Sequence, residues 1–393
     1  MRSPARPRHT PAEFLESVTV AWPGGEDPGR LVIVSPGADR VAIYDNALAV
    51  LLDVRLGRRD AAARILRSLA RLQREDGSLP FSFRLEDALD PAPYIRAGAL
   101  AWVGYAAVVY LDADSEGAAR DEVIRMCHAL ARYLIAHQVQ APGDARQGMV
   151  TGGDGTLSYS IVNGQVQEDF EPGAIPWVST EHNIDTFFFL RALARVAERP
   201  DYAAAASRIQ RALEDRFWNG SAGQMNRGGE AKAVDTVLAL DCASWSALFL
   251  VAADDRLRAE TALAVADTRY AASDRPRGAA GHRPYASGPL LESDVLAQHY
   301  TLPVHDWESS SAVWPEGSAG VALAALRLGR RERAEAILRA LEPLRDPSGG
   351  LPSLTIDVPF EFDTKPSVAG TVWVELVRDE LARPQIPALL WAR

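Results

Sequence analysis

The chain has 393 residues, 47% of them apolar and 24% charged, enough to bury a large core without help from a disulfide or a structural metal. A formal charge of −10, with no long tract of Lys and Arg, argues against a nucleic-acid backbone or an anionic membrane as the main partner. The opening MRSPARPRH is basic but has no apolar run behind it, and no stretch is long enough to cross a bilayer, so cytoplasmic residence is the expectation.

Residues 1–30 read as an irregular N-terminal segment. From Tyr44 onward the chain falls into pairs. One helix opens with polar residues and turns small and apolar; a second, rich in Arg and Glu, is amphipathic. The first pair is Tyr44 to Gly57 with Arg59 to Glu75. In its second member Ala63, Leu66, Leu69, Ala70 and Leu72 fall on one side, and Arg64, Arg67, Arg71 and Glu75 on the other. Pair two is Arg96 to Leu111 with Ala119 to Gln138. Asn163-Gly164, between short alternating runs, predicts a β-hairpin. Pair three opens at Ser179 or Thr180, in WVSTEHNIDTFFFLRALARV, and continues with Asp201 to Trp218.

Pair four is Leu240 to Ala252 with Asp255 to Tyr270. The stretch 274–313 is longer than an ordinary connection and reads as a loop able to act as a lid. Pair five is Trp314 to Gly329 with Arg330 to Leu344. A sixth opens at Lys365 and runs to Leu381, its partner being either the segment around Pro11 to Val18 or the tail. Helical hairpins of this kind must pack side by side to bury their apolar faces. The expected fold is therefore all-α, a single-domain (α/α)6 toroid, with small-residue helices inside and Arg-rich helices outside.

If the inner helices share one direction, their first turns meet at one mouth. Those turns carry Tyr44, Asp45 and Asn46; Arg96; Glu181, His182, Asn183 and Asp185; Asp241 and Ser244; Trp314 and Glu316; and Lys365 and Ser367. Each also has a purely structural role available. Asp45 and Glu316 suit a helix dipole, Ser179 or Thr180 suits an N-cap, and a histidine such as His182 is more often a hydrogen-bonded core or rim residue than a base. Glu181 and Asp185 differ, because like charges at i, i+4 oppose helix formation. Partial burial of that pair would raise the pKa of one member, as a general acid requires.

Trp102, Trp177, Trp245, Trp314 and Trp373 lie in or beside inner helices, with Tyr44 and Tyr105; such rings form core, or hold sugar rings around a polar pocket. The two cysteines, Cys127 and Cys242, read as buried free thiols. Asp112-Ala113-Asp114-Ser115 only half matches the acid motif of terpene cyclases, and Asp241-Cys242 lacks the further Cys and His of a zinc toroid. No phosphate-cradling Gly loop and no nucleophile elbow occurs. Neither metal nor cofactor is expected.

In that order and spacing, the strings YDNALA, STEHNID, ALDCASWSAL, VWPEGSAGVALA and KPSVAGTVW resemble the (α/α)6-barrel catalytic domains of the six-hairpin glycosidase-like superfamily. The resemblance runs from about Tyr44 to Glu375. It implies that Asp45, Glu181, Asp185, Asp241 and Glu316 line a central cavity, two of them acting as general acid and as base or nucleophile on a glycosidic bond. Glu181 or Asp185 would donate the proton, across from Glu316 or Asp45. Tyr44, Arg96, Trp102, His182, Asp241, Trp245, Trp314 and Lys365 would bind a small-molecule or oligosaccharide substrate. Two departures stand out: Arg96-Ala97-Gly98 where a small polar group is expected, and the heavy run Phe187-Phe188-Phe189. A more apolar cavity would suit a biosynthetic cyclase, isomerase or lyase using the same acids on a hydrophobic intermediate. A barrel without chemistry would be a scaffold.

Overall fold

The alternation of small, all-apolar helices with amphipathic ones is realised as two concentric rings in the computed structural model, which describes residues 9–22, 29–114 and 117–391. The chain runs through α1 (Pro11–Ser17), then the pairs α2 (Ile43–Arg55) and α3 (Arg59–Leu72), α4 (Ala97–Ala113) and α5 (Arg120–Ala136), α6 (Thr180–Val196) and α7 (Pro200–Ala212), and α8 (Asp241–Ala252) and α9 (Arg256–Arg269). A short α10 (Asp294–His299) precedes α11 (Pro315–Arg327), α12 (Arg331–Leu341) and α13 (Val368–Ala382).

Helices α2, α4, α6, α8, α11 and α13 each touch the next, and α13 returns to α2, closing the inner ring. Pressed on both sides, α4 is buried at almost every position, which is why its sequence is apolar all round. A methyl group at Gly104 would stand 2.4 Å from the Phe189 ring, so α4 and α6 meet where only glycine fits. Overpacking of this kind typically costs about 1–3 kcal/mol. The outer helices bury one stripe; in α3 it is Ala61, Ala62, Ile65, Leu66, Leu69 and Leu72.

Residues 1–30 are not uniformly irregular. Thr10 and Glu13 form a reciprocal capping box that starts α1, and Thr19–Ala21 pairs with Arg30–Val32. Residues 1–8 and 23–28 of that expectation lie outside the described residues. Phe14 and Leu15 are buried and α1 packs on α13, so the N-terminal segment, not the tail, completes the sixth hairpin.

The inner helices share a device that fixes their start. At the fourth residue of α2, Asn46 accepts from Val32 N at 2.9 Å and donates to Val32 O and Ala42 O. Asn183 in α6 does the same with Val150 and Ser179. Ser318 in α11 accepts from His282 N, and Thr371 in α13 from Leu351 N, both at 2.8 Å. At about 100° per residue, the second position lies some 200° from the fourth, on the opposite face. A fourth residue that clamps neighbouring backbone outside thus points the second toward the barrel axis. Asn46 and Asn183 are anchors, not members of the mouth cluster.

Around the mouth, Asn163 and Gly164, with φ of 52° and 77°, turn a hairpin between Gly153–Val162 and Gln165–Ile175, longer than the alternating runs alone predict. The stretch 274–313 is not a bare loop. It begins within the hairpin Ala271–Asp274 with Ala279–His282 and contains α10, and Leu290, Leu291, Leu296 and Trp307 are buried. Rings tie the rim together, with Phe360 against Tyr159 and Tyr300, and Phe362 against Trp307 and Trp314.

Candidate active site

The axis-facing second position is Tyr44 in α2, Gly98 in α4, Glu181 in α6 and Glu316 in α11. Asp241, first in α8, and Asp185, one turn below Glu181, join them. Ser179 is the N-cap of α6, its Oγ accepting from His182 N at 3.3 Å; this frames the turn that holds Glu181. Thr180 instead donates to Asn226 O at 2.6 Å.

Glu316 is the hub. Its Oε1 accepts the Tyr44 hydroxyl at 2.5 Å, and Tyr44 Oη in turn accepts the Trp373 indole N–H at 2.6 Å. Burial pushes Glu316 up to about 7, while the hydrogen bond from Tyr44 and, less, the nearby Trp314 side chain hold it down. Glu181 is also pushed up to about 7, by burial and then by the charge of Glu316, and it has no donor to lower it. Asp45 is raised well above the carboxylate range by burial and by Glu316; Asp241 is raised by burial, Glu181 and Glu316. Asp185, 2% exposed, is raised by burial, then Glu181 and Asp241. Trp102 faces it closely enough to lower its pKa somewhat, without hydrogen-bond geometry. Among the described residues, no arginine or lysine forms an ion pair with any of these five acids.

A hydrogen bond donated to a carboxylate favours its anion, and Glu316 accepts one, from Tyr44; the charge of Glu316 in turn raises Glu181, Asp45, Asp185 and Asp241. His182 is pushed down to about 4 by burial and by Arg96, so it is neutral at pH 7, with Nδ1 buried and unpartnered. Among the described residues, no group of three or more His, Cys, Asp and Glu has an arrangement fit to hold a metal ion.

Asp45 also lines a cavity of about 500 Å³ reaching the rim, with Asp357, Phe360, Glu361 and Phe362. Phe360, 45% exposed and at a left-handed φ of 68°, stands at the rim there against Tyr159 and Tyr300.

No family model matches the sequence, and no curated protein matches it. Solved structures do. A D-mannose isomerase superposes with a TM-score of 0.62 at 11% identity, over 95% of this chain and 94% of its own. A family 76 glycoside hydrolase from a bovine Bacteroides thetaiotaomicron strain gives 0.62 at 8% identity, over 96% and 77%. A glycosidase variant in complex with glucose gives 0.60 at 14% identity, over 98% and 96%. The chain has the six-hairpin glycosidase-like fold.

Within that six-hairpin barrel, the expected site residues are distributed unevenly. Tyr44, Asp45, Glu181, His182, Asp185, Asp241, Trp314 and Glu316 converge. Arg96 sits at the rim, donating to Ile95 O and Gly155 O at 2.8 Å and lying over the Tyr94 ring; it reaches the site through its field on His182 and through Trp177, which packs on His182. Lys365 is exposed and is not among the groups acting on the acids. Trp102 and Trp245 belong to the floor, Trp245 stacking on Trp373 at 5.8 Å. The three phenylalanines do not line the pit either. Phe187 packs on Phe249, Phe189 on Gly104, and Phe188 stacks on Trp391. Gly98 explains its own departure, because a Cβ there would stand 2.4 Å from His182 Cδ2 and 3.1 Å from Asp185 Oδ2. Sequence reasoning missed Trp391 and Phe360, whose neighbourhood carries no local pattern. Both cysteines are free and buried.

Proposed function

We propose that this chain is a carbohydrate-active enzyme that hydrolyses a glycosidic bond, with Glu181 as proton donor and Glu316 as its anionic partner. The observation that carries this is the asymmetry between two half-buried glutamates, both pushed up to about 7, of which Glu316 accepts a hydrogen bond from Tyr44 and Glu181 accepts none among the described residues. At neutral pH such a pair holds one proton, on Glu181, and one charge, on Glu316. Glu181 gives its proton to the glycosidic oxygen. Glu316 activates water or attacks the anomeric carbon, and its charge stabilises the positive charge that develops on the sugar ring. Asp45, Asp185 and Asp241, held protonated, both donate and accept hydrogen bonds to sugar hydroxyls. The cavity beside Asp45, with Phe360 at its rim, takes the neighbouring unit of a small glycoside or oligosaccharide.

Several features favour this over the other readings. A hydrophobic intermediate needs apolar walls, whereas the aromatic rings here pack on one another beneath an acidic lining. In a scaffold, five buried or half-buried carboxylates with no ion-pair partner among the described residues would only destabilise the fold. The neighbours named as glycosidase, glycoside hydrolase and mannose isomerase support a hexose-based substrate. The test is release of reducing sugar from a panel of hexosides and short glycans by the wild type and by Glu316→Gln. Hydrolysis by the wild type, lost in the variant, supports the reading; no hydrolysis across the panel overturns it.

One feature favours an isomerase instead: His182, neutral and with a free Nδ1, lies one turn from Asp185. Such a histidine can move a proton between adjacent sugar carbons. Complete loss of an aldose–ketose exchange in His182→Ala, with no glycoside cleaved by the wild type, would select that reading.

A further inference from the structure

The chain does not stop at the outer surface after α13. It turns back under the barrel, and its anchors come from the inner helices. Arg55 donates to Pro387 O at 3.1 Å, Tyr105 donates to Leu389 O at 2.7 Å, and Arg327 donates to Leu390 O at 2.6 Å. Trp391 N donates to Tyr105 Oη at 2.7 Å. These bonds lift the Trp391 indole into the bore, where it is 4% exposed. It stacks on Phe188 at 5.0 Å and 12°, and its ring centre lies 5.1 Å from Trp102, 5.1 Å from Trp245 and 5.9 Å from Trp373.

Two observations set this apart from ordinary core packing. Trp391 has a φ of 47°, a left-handed conformation that a bulky aromatic adopts only where its surroundings dictate it. And its neighbours are the residues that hold the acids. Trp373 donates to Tyr44, Tyr44 donates to Glu316, and Trp102 sits edge-on to Tyr44 at 5.4 Å and faces Asp185. Below the segment a cavity of about 840 Å³, lined in part by Tyr105, Phe188 and Ile386 to Leu389, opens toward solvent. The segment is what closes the aromatic floor from that side.

We propose that Trp391 is a positioning residue of the active site: by wedging Trp373 and Trp102 from below, it holds the Tyr44 hydroxyl on Glu316. It touches no reacting atom. Loss of the wedge lets Trp373 settle downward, the Tyr44 bond lengthens, and Glu316 loses the donor that keeps it ionised. The role in catalysis rests on the hydrolase reading above; the effect on Glu316 does not.

The experiment compares wild type with Trp391→Ala, Trp391→Leu and Trp391→Phe. Carbon-13 NMR on carboxyl-labelled glutamate, with Glu316→Gln for assignment, follows Glu316 itself, and turnover is measured against pH on any substrate the wild type cleaves. Expected is a Glu316 titration moved to higher pH in the alanine and leucine variants, with kcat lower by on the order of 100-fold, KM little changed and the acid limb moved with it. Trp391→Phe, which keeps an aromatic wedge, restores most of both. The leucine variant fills the bore and decides the matter if alanine does not fold. Folded variants with the wild-type Glu316 titration and wild-type kcat overturn the proposal. A shifted titration in a protein that cleaves no glycoside upholds the positioning and counts against the hydrolase reading alone.

Discussion

Tyr44 donates its hydroxyl to Glu316 Oε1 at 2.5 Å, tying α2 to α11 over the indole of Trp373. The bond favours the anionic form of Glu316. Tyr44→Phe removes the donor to Glu316 and, with it, the acceptor of the Trp373 indole N–H. The acid limb of the pH–rate profile should then move to higher pH, with turnover lower by about 10- to 100-fold. A profile superimposable on the wild type would show that the bond does not set the charge on Glu316.

Glu181 is raised partly by the charge of Glu316, so the two titrations are linked. In Glu316→Gln that charge is gone, and Glu181 should titrate below about 7, nearer its ordinary 4.5. Carbon-13 NMR of the carboxyl reads this directly. An unchanged Glu181 would mean that burial alone raises it.

Acids with raised folded pKa values make the native state bind more protons than the unfolded chain. For Glu181 the window runs from about 4.5 to about 7, with Asp45, Asp185 and Asp241 shifted in the same direction. Their contribution to stability is therefore greatest below the ordinary carboxylate range and falls as pH rises through the folded values. Asp185→Asn should flatten that decline and make the protein more stable than the wild type at pH 8 while lowering activity. Urea denaturation at pH 5 and pH 8 tests it; equal loss of stability with pH in both proteins contradicts it.

Gly98 leaves room for His182 and Asp185, since a Cβ there would stand 2.4 Å from His182 Cδ2. Gly98→Ala should cost about 1–3 kcal/mol and displace the imidazole. A thermal midpoint and a histidine NMR shift equal to those of the wild type would show that the ring yields freely.

Much of this was readable in the chain because it repeats. Periodicity separates inner helices from outer ones, and the first turns of α2, α6, α8 and α11 point to Asp45, Glu181, Asp241 and Glu316. What periodicity leaves open is which face of a turn looks inward. Asn46 and Asn183 share those turns, yet they clamp Val32 and Val150, because two residues along a helix reverse the direction. Arg96 and Lys365 shared the register but reach backbone carbonyls and solvent. The run Phe187-Phe188-Phe189 suggested an apolar cavity, whereas it is consumed by contacts with Phe249, Trp391 and Gly104. Trp391 follows no repeat at all, and its place depends on three distant anchors, Arg55, Tyr105 and Arg327.

The most direct test of the account is the leaving-group dependence of Glu181→Gln. A proton donor matters when the departing group is a poor one and hardly at all when it is strongly acidic. The account predicts that Glu181→Gln loses about 1000-fold or more on an alkyl or sugar aglycone but retains most of its activity on the dinitrophenyl glycoside of the same sugar. Equal loss on both substrates, or full activity on both with the leaving-group dependence appearing in Asp185→Asn instead, would contradict it.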